Sequence, residues 1–343
     1  MKLKKLNSLQ AGRGLAALMV VLYHANGRYG FGGRRHLGHI FSFGFAGVDF
    51  FFVLSGFIIA YTSFHLIGQK NGIGLFLKKR IIRIYPIYWF YLIVALVVGF
   101  IQYQNLHIFD HLGNAFLLLP GHPSIIQTSW TLPFELFFYL LVSLLIFSRW
   151  TLFLIVPVAI LSIINAVLQN FGTYGIFQDH ALNDLCTPFN VEFLFGILAY
   201  FIYDKIGKPT IYALILIVCV TIVLEIMYFT KAGYNEIYPG QRVLPFGFLA
   251  FAAVTAFAAL DNKEIFKAPK ILVSLGDASY TLYLVHANIF SFAYDTIFMR
   301  FKYSEEKIMT LMIFVVSVTI LFSFILYKYF ERPLIKRINL IWK

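Results

Sequence analysis

Apolar runs of membrane-spanning length recur along the chain, separated by short polar connections. Taking about 17–25 residues as one crossing, ten runs stand out, at 9–26, 43–64, 82–103, 129–147, 150–168, 189–203, 210–229, 243–260, 279–299 and 308–329. Only Ser148 and Arg149 part the fourth from the fifth, which predicts a tight helical hairpin. The sixth is short enough to tilt or end early. No internal repeat and no appended soluble domain is visible. The expectation is an all-α, polytopic membrane protein with about ten transmembrane helices, built as a single domain over residues 1–343.

Polar residues interrupt this pattern where lipid would reject them. The first run, LQAGRGLAALMVVLYHAN, carries Arg13 and His24, eleven residues apart. At about 100° and about 1.5 Å per residue, both project from one face, roughly 16 Å apart along the axis. Ionisable groups inside a membrane helix are costly and face the protein interior, so this stripe predicts a polar inner face.

Composition fits the same class: 60% of the residues are hydrophobic and 13% charged, against about 25% charged in soluble domains, and the mean hydropathy is +0.77. A net charge of +12 would point to nucleic acid in a soluble protein; here basic residues set topology and meet anionic lipid. With the N-terminus inside, nineteen Lys and Arg fall on that side and eight on the other, so both termini are expected to be cytoplasmic. The first outer loop, with Arg28, Arg34, Arg35, His36 and His39, runs against the trend. Lys2, Lys4 and Lys5 resemble the start of a signal peptide, but Arg13 and His24 in the run that follows make it a retained helix. Cys186 and Cys219 do not form a disulfide framework.

Depth sorts the intramembrane polar residues into two groups. Asp49 in the second run and Glu135 in the fourth lie about two turns, roughly 9 Å, from the outer surface, with His24 near the outer end of the first. A histidine base with a carboxylate, Asp49 or Glu135, to fix its tautomer is one chemistry this trio supports. At the inner side are Arg13 and the pair Arg80 and Arg83 of KKRIIRIYPIYW. Three residues apart, the pair shares a helix face, and paired guanidinium groups suit a phosphate-bearing ligand; Pro86 would loosen the helix above them. Plainer readings stand beside these. The arginines also serve as headgroup anchors, His24 as a packing hydrogen bonder, the carboxylates as partners for a buried Arg, and Trp130 as an interfacial belt residue. Gly44, Gly47 and Gly56 are read as close-packing positions. No HExxH, CxxC or P-loop pattern is present, so neither a metal nor nucleotide hydrolysis is expected.

At these residues the sequence resembles the acyltransferase family 3 of integral-membrane acyltransferases, and its exopolysaccharide-associated branch in particular. The blocks are LQAGRGLAALMVVLYH, GVDFFFVLSGF, RIIRIYPIYW, SWTLPFELFFY, LGDASYTLYLVH and a terminal ERP. Ala11-Gly12 departs from the Asp-Gly-Leu-Arg-like run of many relatives, which removes a local carboxylate but keeps Arg13 in register. The resemblance implies cytoplasmic acyl-CoA as co-substrate, no tightly bound cofactor, and a hydroxyl acceptor on a polysaccharide or lipid-linked glycan beyond the bacterial inner membrane. By motif position it makes His24 the leading catalytic residue with Asp49 and Glu135 near it, Arg13, Arg80 and Arg83 the donor-holding set, and Trp130 part of the reaction-centre block. His286 lines the donor path or has a structural role. Acetyl transfer with His24 as general base is the expectation, and a covalent acyl-histidine remains open. A proton-coupled secondary transporter is the alternative, since intramembrane His, Asp and Glu also build proton relays.

Overall fold

The computed structural model of the chain describes residues 4–27, 41–103, 112–121, 124–173, 175–177, 180–232, 239–298 and 305–342. The basic loop with Arg28, Arg34, Arg35, His36 and His39 lies outside the described residues. Within them the chain is helical and has no strand. In order the helices are α1 (Asn7–Asn26), α2 (Ala46–Ser63), α3 (Gly72–Tyr103), α4 (Leu112–Leu117), α5 (Leu132–Phe147), α6 (Leu152–Asn170), α7 (His180–Leu185) and α8 (Phe189–Ile202). They continue as α9 (Lys208–Ala232), α10 (Pro239–Arg242), α11 (Phe248–Asn262), α12 (Lys270–Asp277), α13 (Ser279–Ala293), α14 (Glu305–Leu326) and α15 (Arg332–Ile341).

Among the described residues eight helical stretches are long and apolar enough to cross a membrane, which makes this a multi-pass membrane protein. Some join two helices: α10 runs into α11 through a π-helical turn at Val243–Gly247, and α14 into α15 through another at Tyr327–Glu331. The runs at 9–26 and 279–299 fold as α1 and α13 but are not among the eight. Both put polar and small residues on faces that meet protein. The third run begins ten residues earlier than its apolar stretch, because the basic segment before it is already helical in α3.

Lipid and protein divide the helices. The apolar stretch of α9 is 6% buried, whereas that of α2 is 67% buried. The centre is α1 and α2 against α8, α11, α12 and α13. With no hydrophobic driving force between helices in lipid, close approach through small residues decides such packing. A Cβ on Gly47 would stand 2.4 Å from the Ala16 carbonyl oxygen of α1, and one on Gly56 would stand 2.1 Å from the Phe193 carbonyl oxygen of α8. These helix backbones touch directly, so α1 and α2 are held in register.

The N-terminus of α1 is fixed by α11. Its first N–H groups lack intrahelical acceptors, and Asp261 supplies them from another helix. Asp261 accepts from the Ser8 amide at 2.7 Å, the Ser8 hydroxyl at 2.9 Å and the Leu9 amide at 3.4 Å. A carboxylate at a helix N-terminus also opposes the dipole favourably. Gln10 donates to Asp277 at the end of α12 at 2.8 Å. Lys4 pairs with Glu264 at 2.8 Å and holds that exposed carboxyl below its usual value. The polar helix of the sequence is thus the element around which others are clamped.

Candidate active site

A cavity of about 310 Å³ opens between α1, α2, α3, α5 and α13. Its charged lining is strongly one-sided: Lys4, Lys5, Arg13, Arg80 and Arg83 against Glu135 alone. Each cation is treated differently by its neighbours. Lys4 and Lys5 reach Glu264 and Asp277. Arg80 is buried, with its guanidinium donating to the Thr62 hydroxyl at 2.8 Å and the Ser63 hydroxyl at 3.3 Å. It also lies over the rings of Phe76 and Tyr139, 5.3 and 5.4 Å from their centroids. Its Nε has no acceptor among the described residues. Arg13 and Arg83 take no hydrogen-bond or ion-pair partner among the described residues. Arg13 stands in the field of Arg83 on one side and of Glu331, Glu135 and Asp277 on the other. With Glu135 the one acid among five cations in the lining, the guanidinium groups have the chemistry to bind an anion with several oxygens.

Glu135 belongs to this cavity and is already engaged. It accepts from Ser55 of α2 at 2.9 Å and from Tyr139, one turn along α5. Glu331, in the π-turn before α15, accepts from Thr281 at 2.5 Å, and Tyr91 donates to Thr281 at 3.4 Å. The end of the cavity away from Lys4 and Lys5 is lined by Thr131 and Tyr283, whose hydroxyls are 3.1 Å apart, with Phe51 edge-on to Tyr283 at 6.0 Å.

Beyond that end lies a histidine pair. His286 follows Tyr283 by one turn of α13, about 4.5 Å, and is fully buried. His24 Nδ1 is 2.8 Å from His286 Nε2, and His286 Nδ1 is 2.9 Å from the Leu282 carbonyl oxygen. The rings stack with centroids 5.0 Å apart at 26°. Among the described contacts His24 meets His286, while Glu135 is bonded to Ser55 and Tyr139 and Asp49 to Arg242, so neither carboxylate is the partner of His24. Glu135 lies one turn from Thr131 toward the cationic end, about 6 Å, whereas His286 lies about 4.5 Å the other way from Tyr283. The histidine that meets His24 is His286, for which the sequence offers the donor path or a structural role.

Asp49 serves a different partner. It is fully buried and accepts two bonds from Arg242, from Nε at 3.0 Å and from Nη2 at 2.5 Å. Arg242 also donates to the Phe45 carbonyl at 3.0 Å, and its guanidinium lies 4.7 Å from the Phe45 ring centroid and 5.4 Å from that of Phe189. Desolvating a carboxylate demands such a partner, and α10 carries the arginine to it. Glu192 of α8 sits in the same region, wholly buried, with no donor to either oxygen among the described residues. Trp130, 37% exposed, leans on Phe134 and Phe189 and lines neither the cavity nor the histidine pair.

Sequence reasoning missed Arg242, Glu331 and the meeting of two histidines. Arg242 is one of the eight basic residues on the outer side of the expected topology. Its one signal was its place directly before the apolar run VLPFGFLAF. Glu331 was visible as the acid of the ERP block, without a role.

The described residues thus form a helical, multi-pass membrane protein with a cation-lined cavity and, next to Tyr283 of its lining, a histidine pair. Residues 6–328 match the model of the family described as "Acyltransferase domain", and the chain belongs to that acyltransferase 3 family. It is accordingly an acyltransferase, and the transporter alternative is set aside. It is 28% identical to the exopolysaccharide production protein ExoZ of Rhizobium meliloti (strain 1021) over 268 residues, 73% of this chain and 77% of that protein. It is also 25% identical, over 97% of its own length, to proteins of Staphylococcus aureus strains COL and N315 named "Putative O-acetyltransferase". The chain spans 58% of the length of those staphylococcal relatives. No solved structure matches.

Proposed function

We propose that this acyltransferase moves an acetyl group from acetyl-CoA, bound from the cytoplasmic end, to a hydroxyl of a polysaccharide or lipid-linked glycan at the other side of the bacterial inner membrane. The observation that carries this reading is the cavity in which Arg13 and Arg83 have no hydrogen-bond or ion-pair partner among the described residues and Arg80 faces the same space. A polyanionic donor would complete it. The CoA phosphates dock on the three guanidinium groups, and the pantetheine arm runs along the cavity toward Thr131 and Tyr283. The acyl group then passes these residues by displacing one hydrogen bond, at a cost of about 0.5–1.5 kcal/mol, which donor binding easily offsets. The names of the relatives support acetyl as the group and a surface glycan as the acceptor.

In the reaction, His24 takes the proton of the acceptor hydroxyl while its oxygen attacks the thioester carbonyl. The tetrahedral intermediate expels the CoA thiolate, the carbon–sulfur bond breaks, and the thiolate recovers the proton from His24. A thioester needs neither metal nor ATP for this. Glu135 acts within the donor cavity, tempering the positive field of Arg80, and Asp49 acts through the ion pair that holds α10 against α2. Trp130, with its partly open face, is assigned to stacking on the sugar.

The test is purified protein in lipid nanodiscs with radiolabelled acetyl-CoA and surface polysaccharide, reading thiol release and label on the glycan. His24→Ala is expected to lose about 10²- to 10⁴-fold in kcat with the KM for acetyl-CoA little changed. Undiminished transfer by that variant overturns the role of His24; thiol release that never requires a glycan overturns the acceptor.

A further inference from the structure

We propose that His286 is the positioning residue for His24, fixing the imidazole tautomer that leaves the basic lone pair on His24 Nε2. This rests on the reading of His24 as general base.

The assignment follows from which atoms can donate. The Leu282 carbonyl oxygen only accepts, so His286 Nδ1, 2.9 Å away, carries a hydrogen. A neutral imidazole has one N–H, so His286 Nε2 is an acceptor. His24 Nδ1, 2.8 Å from it, must then be the donor. His24 has spent its one N–H there, and Nε2 keeps the lone pair. The reverse arrangement needs His286 to hold two protons. Its surroundings argue against that: it is fully buried, its ring contacts are Tyr283, Phe290 and His24, and no carboxylate pairs with it among the described residues. An unpaired buried charge is far costlier than a neutral ring.

This role is normally filled by a carboxylate, as in hydrolase triads, where aspartate fixes the tautomer of the base. Here both acids that could have served are engaged elsewhere, Asp49 with Arg242 and Glu135 with Ser55 and Tyr139. A neutral imidazole does the same orienting work without bringing a charge into an apolar site. The register is set by the backbone. Leu282 and His286 are four apart on α13, so the carbonyl that orients His286 is supplied by its own helix. The stacked rings, 26° from parallel, limit rotation of either one.

The experiment uses the full chain in lipid with ¹⁵N-labelled histidine. Solid-state NMR assigns the His24 signals by their loss in His24→Ala, and transfer is assayed for His286→Leu and His286→Gln. Wild type is expected to show a protonated Nδ1 and an unprotonated Nε2 on His24. His286→Leu removes the acceptor and is expected to lower kcat by about 10²-fold, to leave the KM for acetyl-CoA unchanged, and to move hydrogen onto Nε2. His286→Gln places an amide oxygen near the lost Nε2 and is expected to recover most of the turnover, which a purely space-filling role does not predict. An Nε2–H tautomer on wild-type His24 overturns the proposal even if the Leu variant fails to fold. So does full turnover by His286→Leu while His24→Ala is inactive. Activity retained by His24→Ala instead overturns the base assignment and leaves the tautomer result standing on its own.

Discussion

Arg242 and the pair Arg13 and Arg83 are the same side chain put to opposite uses. Arg242 is saturated, with two bonds to Asp49, one to the Phe45 carbonyl and two aromatic rings beside it. Arg13 and Arg83 face a cavity and take no hydrogen bond or ion pair among the described residues. A guanidinium that the fold has already satisfied is part of the fold. One held at a cavity without a partner is waiting for a ligand's charge, and its desolvation is offset only when that ligand arrives. Arg80 falls between them, tethered by two neutral hydroxyls and two rings but with Nε unmet.

The largest effect expected from this contrast is on stability at the far cluster. Asp49→Ala leaves Arg242 buried without the carboxylate that takes two of its hydrogen bonds, and should cost about 3–5 kcal/mol, read by denaturant unfolding in detergent micelles. An unchanged midpoint would remove the ion pair from the structural account. Arg13→Met is next: each lost charge-assisted contact is worth about 1.5–3 kcal/mol, so the KM for acetyl-CoA should rise about 10- to 100-fold with the unfolding midpoint kept. A variant that unfolds as readily as Asp49→Ala would erase the distinction between the two kinds of arginine. Arg80→Met should show both effects in reduced form, a KM increase together with about 1 kcal/mol of lost stability. Glu192→Gln is the mildest, expected to change stability by less than about 1 kcal/mol or to raise it, because the amide keeps the side chain's shape and replaces an acid whose oxygens have no donor among the described residues. A loss comparable to that of Asp49→Ala would mean Glu192 is an essential counter-charge to Arg242.

Much of the fold was legible because a membrane restricts the answer. Apolar runs of the right length must be helices there, and the ten runs marked from hydropathy all fall on helices of the structure. Boundaries were missed where hydropathy and helicity part company, as at the start of α3, whose basic residues are helical without being apolar. The amphipathic α12 falls between the marked runs, since eight residues cannot span a bilayer, yet it packs against α1 through Gln10 and Asp277. In the site, the grouping of Arg13, Arg80 and Arg83 was legible from depth. The His24, Asp49 and Glu135 cluster was not, because depth along a helix says nothing about the azimuth of a side chain or about which neighbour it meets.

The sequence by itself determined the helical class, the polar face of α1 and the separation of guanidinium groups from His24 by about three turns. Those follow from local periodicity and from the cost of charge in lipid, which need no knowledge of neighbours. Tertiary structure alone decided the partners. Glycine contacts at Gly47 and Gly56 fix how α1, α2 and α8 are rotated against one another, and the rest of the bundle closes around them. That places α10 to deliver Arg242 to Asp49 and α13 to bring His286 to His24. Residues 193 and 262 positions apart in the chain become hydrogen-bonded pairs, and contacts of that range are set by packing.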